Sequence, residues 1–294
     1  MSIFTGSGVA IVTPFNETGI DFDAFESLID FQLQEGTDAI IVCGTTGEPS
    51  TMSGEEKESA IQFVVDKVKK RVPVIAGTGG NNTRTVIEDS IRAEEIGADA
   101  LLVVTPYYNK TSFKGLIEHY YAIADAVHIP IIVYNVPGRT GLNVTPAALK
   151  ELIKHPNIRG MKEASGDISQ VIEMARLCGD RIDLYSGNDD IILPVLAVGG
   201  KGVISVVANI APKDTHELVS KFMKGDIAGS RQLQFKLNPL IEALFIEVSP
   251  IPIKTALNLV GFRAGKLRPP LTTMSECNLE MLKQRLIDYG FTIK

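Results

Sequence analysis

Short apolar runs rich in β-branched residues alternate along the chain with longer stretches of helical spacing. The runs are GVAIVTP from Gly8, AIIVCGT from Ala39, PVIAGTG from Pro73, ALLVVTP from Ala100, IPIIVYNVP from Ile129, IRGMKEAS from Ile158, DLYSGND from Asp183 and GVISVVAN from Gly202. Each is mostly apolar on both faces, as expected of a parallel strand covered on both sides, and the segments between them carry helical periods and end signals. Ser53 with Glu56 predicts a capping box ahead of Ile61, Val64, Val65 and Val68, and Thr145 followed by Pro146 predicts a helix start. Eight such units predict an α/β fold, a (β/α)8 TIM barrel. A doubly wound open sheet is the alternative, but no GxGxxG follows the first run to support a dinucleotide site. From Asp226 the pattern is helical only, with helices predicted near 227–245, 252–260 and 276–289, the last behind a Ser275 cap and ended by Gly290. The chain therefore divides into a barrel, residues 1–224, and a C-terminal helical domain, residues 225–294.

Composition narrows the partners. With 45% hydrophobic and 22% charged residues the chain can bury a large core, and its net charge of −6 disfavours nucleic acid and anionic membrane as partners. A small molecule is the expected ligand. The N-terminal MSIFTGSG has no basic or apolar leader pattern and no run reaches the roughly 20 residues of a membrane span, so a cytoplasmic location is expected. Cys43, Cys178 and Cys277 lack CxxC spacing, and His119, His128, His155 and His216 share no HExxH pattern. A disulfide framework and a catalytic metal are both disfavoured.

In this fold the chemistry gathers at the carboxyl ends of the strands. Lys162 stands out there, because a lysine inside an apolar strand is costly to desolvate. Side chains alternate along a strand, so Ile158, Gly160, Lys162 and Ala164 share one face, with Gly160 leaving space beneath the lysine. Burial disfavours the ammonium, and the chemistry a positioned neutral amine does best is Schiff-base formation with a carbonyl. The other role open to Lys162 is to snorkel to solvent or pair with Glu163, though neighbours on a strand point apart. Tyr134 ends the preceding strand, about 4.8 Å away in a sheet. It either shuttles protons beside a hydroxyl such as Thr45 or caps the core. Tyr107 and Tyr108 are consecutive and cannot both fill one barrel, so one of them faces something else, such as another subunit. GTTGE, residues 44–48, offers N–H groups and two hydroxyls to a carboxylate, or simply caps the next helix. Arg139 suits bidentate grip of a carboxylate, or a surface salt bridge.

In this order, GTTGE, TPYYN, YNVPGRTG, GMKEASGD, SGND and GVISVVAN resemble the family of class I, Schiff-base-forming lyases and synthases that includes N-acetylneuraminate lyase and dihydrodipicolinate synthase. The similarity runs from Phe4 to about Gly290, and Arg139 within YNVPGRT places it on the synthase side. The resemblance implies that Lys162 forms an imine with pyruvate, with no separate cofactor. It implies that Thr45 and Thr46 hold the pyruvate carboxylate while Gly187 and Ile204 line that site with backbone. Tyr134, Thr45 and Tyr108 match the family's proton relay, with Tyr108 supplied by a neighbouring subunit, and Arg139 matches the grip on the carboxylate of aspartate semialdehyde. The implied product is a heterocycle on the diaminopimelate route to lysine, and the implied assembly is a homotetramer of two tight dimers. Where lysine-inhibited relatives carry the histidine and glutamate of an interface lysine site, this chain has Gly54, Lys57 and Thr85, although Asn81 and Tyr107 remain. A cationic Lys57 would repel an incoming lysine, so feedback is expected to be weak or absent. The rivals are another aldolase of the family and a silent keto-acid-binding barrel; the set of Thr45, Tyr134, Arg139 and Lys162 argues against the second.

Overall fold

The computed structural model describes residues 2–294. Eight strands, β1 (Gly6–Ala10), β2 (Ala39–Val42), β3 (Val74–Gly77), β4 (Ala100–Val104), β5 (Ile131–Asn135), β6 (Ile158–Glu163), β7 (Asp183–Ser186) and β8 (Gly202–Ser205), close into a parallel barrel in sequence order, with β1 pairing β8. Each is followed by a helix: α1 (Phe22–Gln34), α2 (Gly54–Val68), α3 (Thr83–Ile96), α4 (Phe113–Asp125), α5 (Pro146–Leu152), α6 (Ile168–Cys178), α7 (Ile192–Ala197) and α8 (Pro212–Met223). The barrel expected from the alternating runs is thus present. A two-residue hairpin, Phe15–Asn16 with Gly19–Ile20, interrupts the first crossover.

The doubly apolar strands serve two cores. Ile41, Ile75, Leu102, Ile132, Tyr185 and Ile204 fill the barrel, whereas Ile40, Val42, Leu101, Val103, Val133 and Met161 face outward into the helical ring. Phe4 closes the interior from below, stacked on Tyr185 with centroids 4.3 Å apart and its carbonyl accepting the Tyr185 hydroxyl at 2.8 Å. The predicted helix starts are built as expected: Ser53 and Glu56 make a reciprocal capping box on α2, and Thr145 caps α5 ahead of Pro146.

Beyond residue 224, in the segment proposed as a C-terminal helical domain, lie α9 (Ile227–Leu244), α10 (Ile251–Leu259) and α11 (Glu276–Tyr289). Helix α9 packs along α8, and its Leu237, Leu240 and Leu244 join the same buried cluster as the outward faces of the strands. Ser275 precedes α11, but its hydroxyl donates to Glu247 rather than capping the helix. Among the described residues no helix is long and apolar enough to cross a membrane.

Candidate active site

The carboxyl ends of β2, β3, β4 and β5 open onto a cavity of about 390 Å³ whose walls include Thr45, Asn81, Tyr107, Tyr134 and Arg139. Thr45 comes from the turn after β2, where Cys43 adopts a left-handed conformation at φ 55°, Thr45–Gly47 make one 3-10 turn, and Glu48 ends it left-handed at φ 57°. Thr46, in the same turn, is buried. Burial pushes the Cys43 thiol up to about 12, which leaves it an inert packing residue.

Lys162, on β6, is not among the residues lining this cavity, but it packs against Tyr134, which is. Its strand partners in register are Tyr134 on β5 and Tyr185 on β7, and its Nζ sits 4.3 Å from the centroid of the Tyr134 ring. The side chain is buried at 5% exposure, and among the described residues Nζ makes no hydrogen bond and no ion pair. The alternative pairing with Glu163 does not form. Glu163 points to the opposite face, where it accepts from Asn135 Nδ2 at 2.9 Å and from the Ser165 N–H at 2.7 Å. The space expected beneath the lysine at Gly160 is already taken: a Cβ there would lie 2.7 Å from Ile132 Cγ1. Glycine at this position lets the neighbouring strand's isoleucine fill the barrel floor.

Arg139 sits on a single helical turn, Pro137–Thr140, at the exit of β5, and its guanidinium donates to the Ser249 carbonyl at 3.0 Å. It is neither buried nor part of a surface salt bridge among the described residues. That leaves its charge uncompensated at the rim, as a grip on an anionic substrate requires.

A family model described as the dihydrodipicolinate synthetase family matches residues 3–288. The chain belongs to this family. It is 60% identical over 295 residues, covering 100% of both chains, to the 4-hydroxy-tetrahydrodipicolinate synthase of Caldicellulosiruptor bescii. Among solved structures it resembles the dihydrodipicolinate synthase of Aquifex aeolicus, with a TM-score of 0.97, 42% identity and coverage of 99% of this chain and 100% of that one. It also resembles the chloride-inhibited dihydrodipicolinate synthase of Acinetobacter baumannii complexed with pyruvate, with a TM-score of 0.95, 41% identity and coverage of 98% and 99%.

Within this family member the remaining site residues fall in distinct places. Thr45, Tyr134 and Arg139 share the cavity, although no hydrogen bond links the Thr45 and Tyr134 hydroxyls among the described residues. Ile204 is fully buried in the barrel interior. Gly187 follows β7, its N–H donating to the Glu163 carbonyl at 2.7 Å, and a Cβ there would lie 2.5 Å from that of Ala164, so only glycine lets the two chain segments meet. Tyr108 is not gathered with the others within this chain: it is 92% exposed with φ 69°, pointing away, while Tyr107 lines the cavity. Lys57 requires a correction. It is no unpaired cation, because its Nζ contacts Asp89 Oδ2 at 2.7 Å in the cavity wall, and the pair has little net charge with which to repel a ligand.

Two elements of the site were missed from sequence. Asp189, inside the quoted SGND, is buried, and its Oδ2 accepts from the N–H groups of Val206 and Val207 at 3.0 and 2.8 Å while Oδ1 has no partner. Burial raises its carboxyl above the ordinary value; hydrogen bonds from Val207, Ser205 and Val206, and then the Lys162 charge, act in the opposite direction. The second is the pair Glu48 and Lys254, whose side chains are 0% and 1% exposed and meet at 2.7 Å.

Proposed function

We infer that this enzyme condenses pyruvate with L-aspartate 4-semialdehyde through a Schiff base on Lys162, giving 4-hydroxy-tetrahydrodipicolinate for diaminopimelate and lysine biosynthesis. The observation that carries the residue assignment is Lys162 itself: a buried strand lysine with no hydrogen bond to restrain it, held against the ring of Tyr134, which lines the same cavity as Arg139. Its Nζ attacks the pyruvate C2 carbonyl, and loss of water gives the iminium. Tyr134, whose ring packs against Nζ, moves the protons of this step, with Thr45 and a Tyr108 delivered by a second copy completing the relay. The turn at Thr45 and Thr46 holds the pyruvate carboxylate, with Gly187 and Ile204 lining its site. Loss of a C3 proton gives the enamine, whose C3 bonds to the aldehyde carbon while Arg139 grips the incoming carboxylate. The amino group of the second substrate then adds to the iminium carbon, and release of Lys162 closes the ring. The covalent amine replaces any cofactor, and no metal is assigned a role.

The exposed, left-handed Tyr108 supports assembly through this surface, and a homotetramer of tight dimers is the reading we favour. We place the enzyme in the cytoplasm and keep weak or absent lysine feedback as a proposal. With Lys57 paired, it rests on Gly54 and Thr85, which offer no charge to a bound lysine; a steady-state assay showing inhibition at micromolar lysine would sink it.

Mass spectrometry after borohydride reduction in the presence of pyruvate tests the central step. A pyruvyl adduct is expected on the wild type and not on Lys162→Ala. No adduct on the wild type, or an equal adduct on the variant, would overturn the assignment.

A further inference from the structure

The turn that carries Thr45 and Thr46 is short and strained, and what fixes it comes from the other end of the chain. Glu48 closes the turn in a left-handed conformation that a residue with a Cβ adopts only when its surroundings enforce it. Its backbone is bound on both sides, the N–H to the Thr45 carbonyl at 3.1 Å and the carbonyl to Thr51. Its carboxylate, fully buried, accepts from Lys254 Nζ at 2.7 Å through one oxygen and from the Arg268 backbone N–H at 3.0 Å through the other.

Lys254 belongs to α10 and spends all three of its protons on separate parts of the fold: the Glu48 carboxylate, the Thr13 carbonyl beyond β1 at 3.1 Å and the Lys266 carbonyl at 2.8 Å. The Phe15 ring is held between Lys254 Nζ at 4.7 Å and the Arg268 guanidinium at 3.9 Å. Arg268 also binds the Thr51 carbonyl and Glu56 on the far side of the same loop. Just before α10, Ser249 holds Arg139. The C-terminal segment 249–268 therefore braces both substrate-facing elements.

We propose that Lys254 is a positioning residue for pyruvate: through Glu48 it locks the turn so that the N–H groups and hydroxyls of Thr45 and Thr46 already point at the substrate carboxylate. This rests on the pyruvate reading of the site. Without the lock, the loop must be ordered at the expense of binding, which weakens pyruvate affinity and leaves the chemistry at Lys162 intact.

The test is imine trapping by borohydride across a pyruvate series, with urea unfolding of each protein. The informative variant is Lys254→Met combined with Glu48→Gln, which removes both charges together and so leaves neither buried alone. The half-saturating pyruvate concentration is expected to rise about tenfold while the maximal trapping rate stays within about twofold. A folded double variant with unchanged half-saturation, or one that loses maximal rate alone, overturns the proposal. Should the double variant not fold, Glu48→Gln decides by the same readout: its single amide oxygen can serve only one of Lys254 and the Arg268 N–H, so the lock is weakened and a smaller rise is expected; no rise there overturns the proposal. A wild type that traps no pyruvate is a separate outcome that removes the underlying reading as well.

Discussion

Two buried lysines lie near the barrel mouth, and their surroundings are opposite. Lys254 has three oxygen acceptors and a carboxylate partner, every proton assigned. Burial pulls its ammonium below the ordinary value, while the charge of Glu48 and the hydrogen bond to it oppose that shift. Lys162 has a ring face at 4.3 Å and no hydrogen bond. A fully satisfied buried ammonium is held in one place by its acceptors, whereas a lysine head group without acceptors keeps its mobility. Burial alone therefore does not distinguish the two lysines; the role proposed for Lys162 rests on its missing acceptors.

Removing each lysine should separate the two roles. Lys254→Met leaves the Glu48 carboxylate buried without a countercharge, and by analogy with other broken buried pairs it is expected to lose about 3–5 kcal/mol of stability in urea unfolding. Glu48→Gln keeps only one acceptor oxygen, but Lys254 retains the Thr13 and Lys266 carbonyls, so it is expected to lose less, about 1–3 kcal/mol. Lys162→Met is expected to abolish imine formation, but it breaks no hydrogen bond, so its stability is expected to stay within about 1 kcal/mol of wild type. A Lys162→Met protein as destabilised as Lys254→Met would erase the distinction.

The same contrast explains what could be read from sequence. Lys162 was legible because a strand has a period of two: once IRGMKEAS is a barrel strand, Lys162 must face inward with Gly160, and its cost there demands a function. Lys254 carries the same anomaly within SPIPIKTAL, but a helix offers many outward positions, and its partner Glu48 lies 206 residues away in sequence. Nothing local to either residue announces the pair. The barrel was legible because each run is apolar on both faces, whereas the 3-10 turn and left-handed residues after β2 were not, since GTTGE has no proline and its Glu48 takes a conformation more usual for glycine. Lys57 was misjudged for the reason Lys254 was missed: its partner Asp89 is on another helix.

At the outer edge of the Lys254 network the comparison can be sharpened with pH. Glu56 is held down to about 2, first by its hydrogen bonds with the Arg268 side chain; burial opposes this, and the bond from the Ser53 N–H and the Arg268 charge then lower it further. A carboxyl depressed in the folded state adds stability above its unfolded value, near the ordinary 4.5, and loses that contribution as pH falls through the window toward 2. Glu56→Gln retains the capping-box bond to Ser53 through its one amide oxygen, and removes the charge together with the second acceptor that faces Arg268. Glu56 is 28% exposed and Arg268 24%, so water screens the pair and the effect is expected to stay below about 1 kcal/mol at neutral pH. The stability gap between wild type and Glu56→Gln should be constant above about pH 5 and close progressively below it, and about 1 M salt at neutral pH should narrow it too. A gap that ignores both pH and salt would mean that Arg268 braces the loop through its backbone bond to Glu48 and its packing on Phe15. The buried pair would then hold the turn without help from the surface one.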